Sequence, residues 1–293
     1  MLKDRLQIIF FLVSLILMHS AFATDYFINN ASGNDANVGT SAKQPFKSIE
    51  KINTVLLKPG DRILFAAGQV FHGELRLIGV QGLPGKLVVV GSYFAGSEKP
   101  TTEAKMEFMI NAKGMPNGLL IQDCSYVVVK HAIIEADGYE TEKPSEDKMR
   151  VGVKITASPG NICKNIQLDS LEIKNIYFEN KGFVRNAGEV KTANGTQRYG
   201  WGIRLLADQP TAQITQVEIS NCRIRDVASL SVTEMLLGST PSLMLVAEAM
   251  SNSSLAGLNR PESIMCVPVL LFPWNRTGRH ARCNPACSGT IGY

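Results

Sequence analysis

The chain has 293 residues, 45% of them hydrophobic and 19% charged, a composition that excludes a disordered or coiled-coil protein. Thirty Lys and Arg against 26 Asp and Glu leave a net charge of +4, too balanced and too scattered for a nucleic-acid footprint. With 25 glycines and only 7% aromatics, the chain favours short strands and turns over a helical bundle.

The amino terminus predicts export. Lys3 and Arg5 precede an apolar run from Ile8 to Met18, and Ala21-Phe22-Ala23 supplies a small-x-small cleavage pattern. That run is too short for a spanning helix, which needs roughly 20 residues. Residues 1–23 therefore read as a signal peptide. The mature chain is expected to be periplasmic, cell-surface or extracellular, with no transmembrane segment. The six cysteines are too widely spaced to form a compact disulfide framework, and a chain of this length can bury a core without staples. With four histidines and no His/Cys pair at ligand spacing, a structural zinc site has no support.

Residues 24–59 read as an amino-terminal cap. Phe46, Ile49, Ile52 and Val55 form one apolar stripe on a helix ending before Pro59-Gly60. Strand-like runs follow at 60–65, 73–77 and 86–90. Asp61, beside Pro59-Gly60, reads as a turn residue.

The middle of the chain repeats one apolar template three times. The first copy reads Gly118-Leu-Leu-Ile121, Val127-Val-Val129, Ala132-Ile-Ile134. The second reads Gly152-Val-Lys-Ile155, Ile166-Gln-Leu168, Leu171-Glu-Ile173, closing on Ile176. The third reads Gly202-Ile-Arg-Leu205, Val217-Glu-Ile219, Cys222-Arg-Ile224, closing on Val227. Each copy is three short alternating strands with no helix between them. Stacked as coils, they align Val127/Ile166/Val217, Val129/Leu168/Ile219, Ala132/Leu171/Cys222 and Ile134/Ile173/Ile224 as inward ladders. Glu172 falls beside Arg223, and Glu135 beside Lys174, as outward ion pairs. His131 shares a turn position with Ser170 and Asn221, which argues for a structural rather than a catalytic role. His72 carries no motif. The pattern is that of an all-β, right-handed parallel β-helix over residues 60–228. An antiparallel sandwich would need regular hairpin turns that are absent.

Tyr26-Phe-Ile-Asn-Asn-Ala-Ser-Gly-Asn-Asp35, Gly39-Thr-Ser41, Gln44-Pro-Phe46, Leu57-Lys-Pro-Gly-Asp-Arg-Ile-Leu-Phe65 and Gly82-Leu-Pro-Gly-Lys86 carry a resemblance. Together they resemble the cap and first coils of exported right-handed parallel β-helix proteins of the pectin-lyase-like superfamily. The resemblance spans residues 25–227 and implies the fold. It fixes no reaction, because that superfamily holds lyases, glycoside hydrolases, epimerases and adhesins.

Two insertions, 138–151 and 177–201, leave after a third strand and return to a first strand, so both emerge from one corner of the stack. They carry Tyr139, Tyr199 and Trp201, whose rings could stack on sugars or pack the loops down. Beside them, Lys154 and Arg204 share an outward column with Leu120, about one strand spacing (roughly 4.8 Å) apart. A like-charged neighbour favours the neutral amine that a general base needs. Lyase chemistry on an acidic sugar would use Lys154 as base and Arg204 as carboxylate clamp. The alternative is two solvated cations on an exposed sheet. Asp123, Asp137, Glu140 and Glu142 are the carboxylates on offer for a substrate-bridging calcium ion or for acid/base hydrolysis, with a spacing diagnostic of neither. The expected partner is an extracellular polysaccharide, cleaved by a lyase or glycoside hydrolase. The alternatives are a non-catalytic carbohydrate-binding or cell-surface β-helix protein and an inactive truncated product. The sequence leaves the oligomeric state open.

The last segment, 229–293, departs from all of this. It holds no lysine and no aspartate, and its only charges are four Arg and three Glu. The expectation is an atypical tail that does not continue the β-helix, as a reading-frame shift near codon 228 would produce, with a helix over 242–250 or a capping domain as the alternative.

Overall fold

The computed structural model describes residues 23–95, 107–137, 150–177 and 200–227, together with the backbone of 232–236 and 243–246. The chain opens with β1 (Asp25–Ile28) and a one-turn helix, α1 (Ile49–Ile52), and then winds in triplets of strands. The first coil is β2 (Arg62–Ala66), β3 (Val70–His72) and β4 (Leu75–Ile78). The second is β5 (Val88–Tyr93), β6 (Phe108–Asn111) and β7 (Asn117–Gln122). The third is β8 (Ser125–Lys130), β9 (Ala132–Asp137) and β10 (Arg150–Thr156). The fourth is β11 (Ile162–Asp169), β12 (Glu172–Tyr177) and β13 (Gly200–Ala207). The fifth is β14 (Gln213–Ser220), β15 (Arg223–Ile224) and β16 (Val232–Leu236), and β17 (Leu243–Val246) starts a sixth.

Every third strand pairs in parallel, giving three sheets: β4-β7-β10-β13-β16 (sheet 1), β1-β2-β5-β8-β11-β14-β17 (sheet 2) and β3-β6-β9-β12-β15 (sheet 3). This is a parallel β-helix, the fold expected from the repeat. Three of the four inward ladders are paired in the expected register. Val127, Ile166 and Val217 stack, as do Val129, Leu168 and Ile219, and Ile134, Ile173 and Ile224. All nine side chains are at most 2% exposed and belong to one continuous core. Removing side chains of this size from water stabilises the stack by about 1.5–3 kcal/mol each.

The turn from sheet 2 to sheet 3 is a single left-handed residue in three successive coils. His131, Ser170 and Asn221 have φ of 55°, 55° and 53°. Asn221 Nδ2 donates to Asp169 Oδ1 of the coil before at 2.8 Å. Asp61 takes the turn role expected of it, accepting from the backbone N–H of Lys58 and of Thr24, each at 2.8 Å.

The structure differs from the sequence reading at three places. The capping helix is shorter than the apolar stripe, because Phe46 leaves it to bridge Ile28 beside β1. Ser48 caps the remaining turn, its Oγ accepting from Lys51 N at 3.1 Å, and Ile49 and Ile52 still enter the core. Secondly, the outward registers Glu172–Arg223 and Glu135–Lys174 are as expected, but their ion pairs are not. Glu172 binds Arg225 at 2.8 Å and Lys174 at 3.7 Å, whereas Glu135 accepts from the amides of Asn111 and Asn175. Glu172 thus reaches Lys174 on its own strand and the diagonal Arg225 of the next coil, and Glu135 reaches Asn111 directly across in the coil before. Thirdly, the β-helix does not stop at 228. Val232–Leu236 pairs in register with β13, and Leu243–Val246 pairs with β14, where a helix was the alternative expectation. Val-Thr-Glu-Met-Leu and Leu-Met-Leu-Val have the strand-forming content that the change in charge composition masked.

Candidate functional site on sheet 1

Both insertions lie between a sheet 3 strand and a sheet 1 strand, on either side of β10, so one corner of the stack feeds both. Residues 138–149 and 178–199 are outside the described residues, and with them Tyr139, Tyr199, Glu140 and Glu142. Sheet 1 is described directly. Its outer face is built by the register Arg76–Leu120 between β4 and β7, Leu120–Lys154 between β7 and β10, and Lys154–Arg204 between β10 and β13. Lys154 and Arg204 are therefore direct neighbours, as the repeat predicts, in a column that Arg76 begins.

The glycines of the repeat explain how this face is shaped. A Cβ on Gly118 would stand 2.3 Å from Ile134 Cγ2, and one on Gly152 would stand 2.5 Å from Ile173 Cγ2 and 2.6 Å from the Gly202 carbonyl oxygen. The starts of β7 and β10 thus press directly on sheet 3, and only glycine fits at those two positions. Beyond the glycines, Val151 and Trp201 leave the main core and pack on each other as a separate buried pair. The Arg204 guanidinium lies over the Trp201 ring, 4.4 Å from its centroid. Trp201 is only 4% exposed. The ring is closed in beneath the Arg204 guanidinium.

Glu74 lies outside the motifs of the sequence. It precedes β4 at the tight corner after Gly73 (φ 116°), and by extension of the β4–β7 register it stands where later coils place the ladder glycine. Aligning the glycine template one coil upstream would have exposed a carboxylate in its place. Glu74 is 9% exposed, and Asn117 Nδ2 donates to its Oε1 at 2.5 Å. Burial pushes this carboxyl above its ordinary range, with the Asn117 hydrogen bond and the charges of Arg76 and Lys154 opposing. Arg150, 1% exposed at the head of β10, is a second buried charged residue that no sequence motif marks.

The remaining carboxylates are placed differently. Both oxygens of Asp123 are taken by Ser158, from its backbone N–H and its hydroxyl, each at 2.7 Å. Asp137 ends β9 near the corner, its carboxyl raised by burial and by Glu135. Among the described residues, no cluster of three His, Cys, Asp or Glu side chains could hold a metal ion, and no helix is long and apolar enough to cross a membrane.

No family model matches the chain. The chain is 28% identical over 191 aligned positions to a lacto-N-biosidase of Bifidobacterium longum subsp. longum, a match covering 52% of this chain and 12% of that protein. Crystal structures of a GH136 lacto-N-biosidase from Eubacterium ramulus, as selenomethionine derivative and as native protein, superpose with TM-scores of 0.53 and 0.51. Their identities to this chain are 23% and 22%, over 70% and 71% of this chain and 35% and 36% of theirs. At these identities the shared property is the fold, so the chain is a parallel β-helix of the kind seen in that enzyme and spans about a third of its length.

Proposed function

We propose that this chain is part of an exported protein that cleaves a glycan, and that the outer face of sheet 1 is where the glycan lies. The observation that carries the reading is the in-register Lys154–Arg204 pair beside the Glu74–Asn117 pair, on the face flanked by both insertions. The Bifidobacterium relative adds support for glycoside hydrolysis over elimination, since lacto-N-biosidase is a glycosidase by name. In that reading Lys154 and Arg204 bind sugar oxygens or an acidic substituent, as hydrogen-bond donors with fixed positive charge. Tyr139 and Tyr199, on the insertions, would supply ring faces for stacking.

The Lys154–Arg204 register favours a second reading, a polysaccharide lyase. There Lys154 would take the proton beside a uronate carboxylate while Arg204 held that carboxylate. One assay separates them. The secreted protein is incubated with neutral oligosaccharides of the lacto-N-biose type and with uronate polysaccharides. New reducing ends without near-ultraviolet absorbance identify a hydrolase, and absorbing unsaturated ends identify a lyase. Binding with neither product identifies a carbohydrate-binding protein on the same scaffold, and the absence of all three removes the glycan reading. Amino-terminal sequencing of the secreted protein tests the export expectation: cleavage near Thr24 is the expected result.

A further inference from the structure

We propose that Glu74 is a glycan-contacting residue whose carboxyl is kept in its neutral, hydrogen-bond-donating form and offers Oε2–H to a sugar oxygen, making binding pH-gated. The inference rests on the reading of sheet 1 as the glycan-binding face.

Four observations carry it. Glu74 is 9% exposed, a burial rare for a glutamate without a cationic partner at contact distance. Its bonded partner is a neutral amide, Asn117 Nδ2, which occupies Oε1 at 2.5 Å. Its Oε2 accepts and donates nothing within the protein, yet Tyr93 Oη is the only buried side-chain oxygen or nitrogen without a partner among the described residues, so Oε2 is not sealed from solvent. It is therefore the oxygen of Glu74 that a ligand can reach. Lastly, Asn53 pins the backbone that leaves Glu74: its Nδ2 donates to the Glu74 carbonyl and its Oδ1 accepts from Arg76 N, each at 2.9 Å, on either side of Leu75. Because β4 is the edge strand of sheet 1, Asn53 makes the bonds a further strand would make and fixes Glu74 in place.

The charged groups facing Glu74 are Arg76 on its own strand and Lys154 on β10, with Asn117 on β7 and Glu50 of α1 beside Gly73. Arg76 and Lys154 favour the carboxylate and burial favours the acid, with burial the larger effect. Neutral carboxyl and sugar hydroxyl are matched hydrogen-bond partners. The carboxylate would lose its donor and keep its desolvation cost in the complex. If only the acid binds, the apparent Kd rises tenfold for each pH unit above the Glu74 midpoint.

The test measures binding of lacto-N-biose and of an oligogalacturonate by calorimetry between pH 4 and 8, for the wild type, Glu74→Gln and Glu74→Ala. Glutamine copies the neutral acid, so Glu74→Gln is expected to bind at pH 8 as the wild type binds at pH 4, with a flat profile. Glu74→Ala is expected to lose at least tenfold at every pH. A sloping profile retained in Glu74→Gln, or unchanged affinity in Glu74→Ala, overturns the role of Glu74 while leaving the glycan-binding face standing. A wild type that binds and cleaves neither probe overturns the functional reading and this inference with it. Carbon-13 carboxyl NMR gives an arm independent of any ligand: a Glu74 signal titrating in the ordinary glutamate range overturns the inference alone.

Discussion

Trp201 and Arg204 are a buried ring and a cation held face to face, 4.4 Å apart, three residues apart on one strand. Two residues on one strand normally share a face only at even spacing. Here the long guanidinium arm of Arg204 reaches back along the strand to lie over the indole. The pair fixes where the Arg204 charge points.

The first prediction follows. Trp201→Ala should lower stability by about 3 kcal/mol through loss of a buried ring. It should also weaken glycan binding by as much as Arg204→Ala does, because Arg204 loses its platform. Trp201→Phe keeps a ring under the cation and should retain most of the binding. Urea unfolding and calorimetry on the three variants check this, and binding untouched in Trp201→Ala would remove the positioning role.

The glycine column gives a second. Gly152→Ala places a methyl 2.5 Å from Ile173 Cγ2 and 2.6 Å from the Gly202 carbonyl oxygen. The isoleucine can be shortened, but the carbonyl belongs to the β13 backbone. Gly152→Ala should therefore cost about 1–3 kcal/mol. Adding Ile173→Val should relieve only part of that, which a double-mutant cycle in urea measures.

The register of the fold was legible because ladders repeat. Ile134, Ile173 and Ile224 must fill the same slot in three coils, so the alignment of the copies is the alignment of the strands. The site was legible only where it lies on the repeat. Lys154 and Arg204 are placed by register, and the sequence predicts that. Glu74 stands where the glycine template lapses, and its burial depends on Asn53, Asn117 and the corner after Gly73, which are brought together by the fold. The strands at 232–236 and 243–246 were passed over because charge composition is a surface property and strand pairing is set by backbone and alternation.

Tyr93 offers a third prediction. Its ring is 1% exposed and packs edge-on against Phe27 at 5.0 Å, but its hydroxyl has no hydrogen-bond partner. Asn29 is its polar neighbour, with Oδ1 already accepting from Ala31, Ser32 and Gln69. An unpaired buried hydroxyl costs about 1–3 kcal/mol. Tyr93→Phe should therefore hold or raise the thermal midpoint, whereas a drop would reveal a hydrogen bond to Asn29.

The last prediction concerns alkaline pH and rests on three buried thiols, Cys124, Cys163 and Cys222. Burial pushes them from an ordinary 9.0 up to about 11, about 12 and about 11. In the folded state they therefore stay protonated at a pH where the unfolded chain has ionised. Their contribution to stability is fully present below about pH 9 and is lost as pH rises from there through 11 and 12. The slope approaches about 1.4 kcal/mol per pH unit for each thiol. Tyr26, Tyr93 and Tyr177, raised above 10.0 chiefly by burial, steepen the loss beyond that pH. Urea midpoints at pH 8, 9 and 10 should therefore fall between the last two values. A triple Cys→Ala variant, less stable overall from its three small cavities, should show a flat profile over that interval. Thiolate trapping provides the matching kinetic readout: at pH 8 these three thiols should react with a disulfide reagent only as fast as the β-helix opens. Immediate labelling of Cys163 in the folded protein would show that its slot in the core is open to solvent.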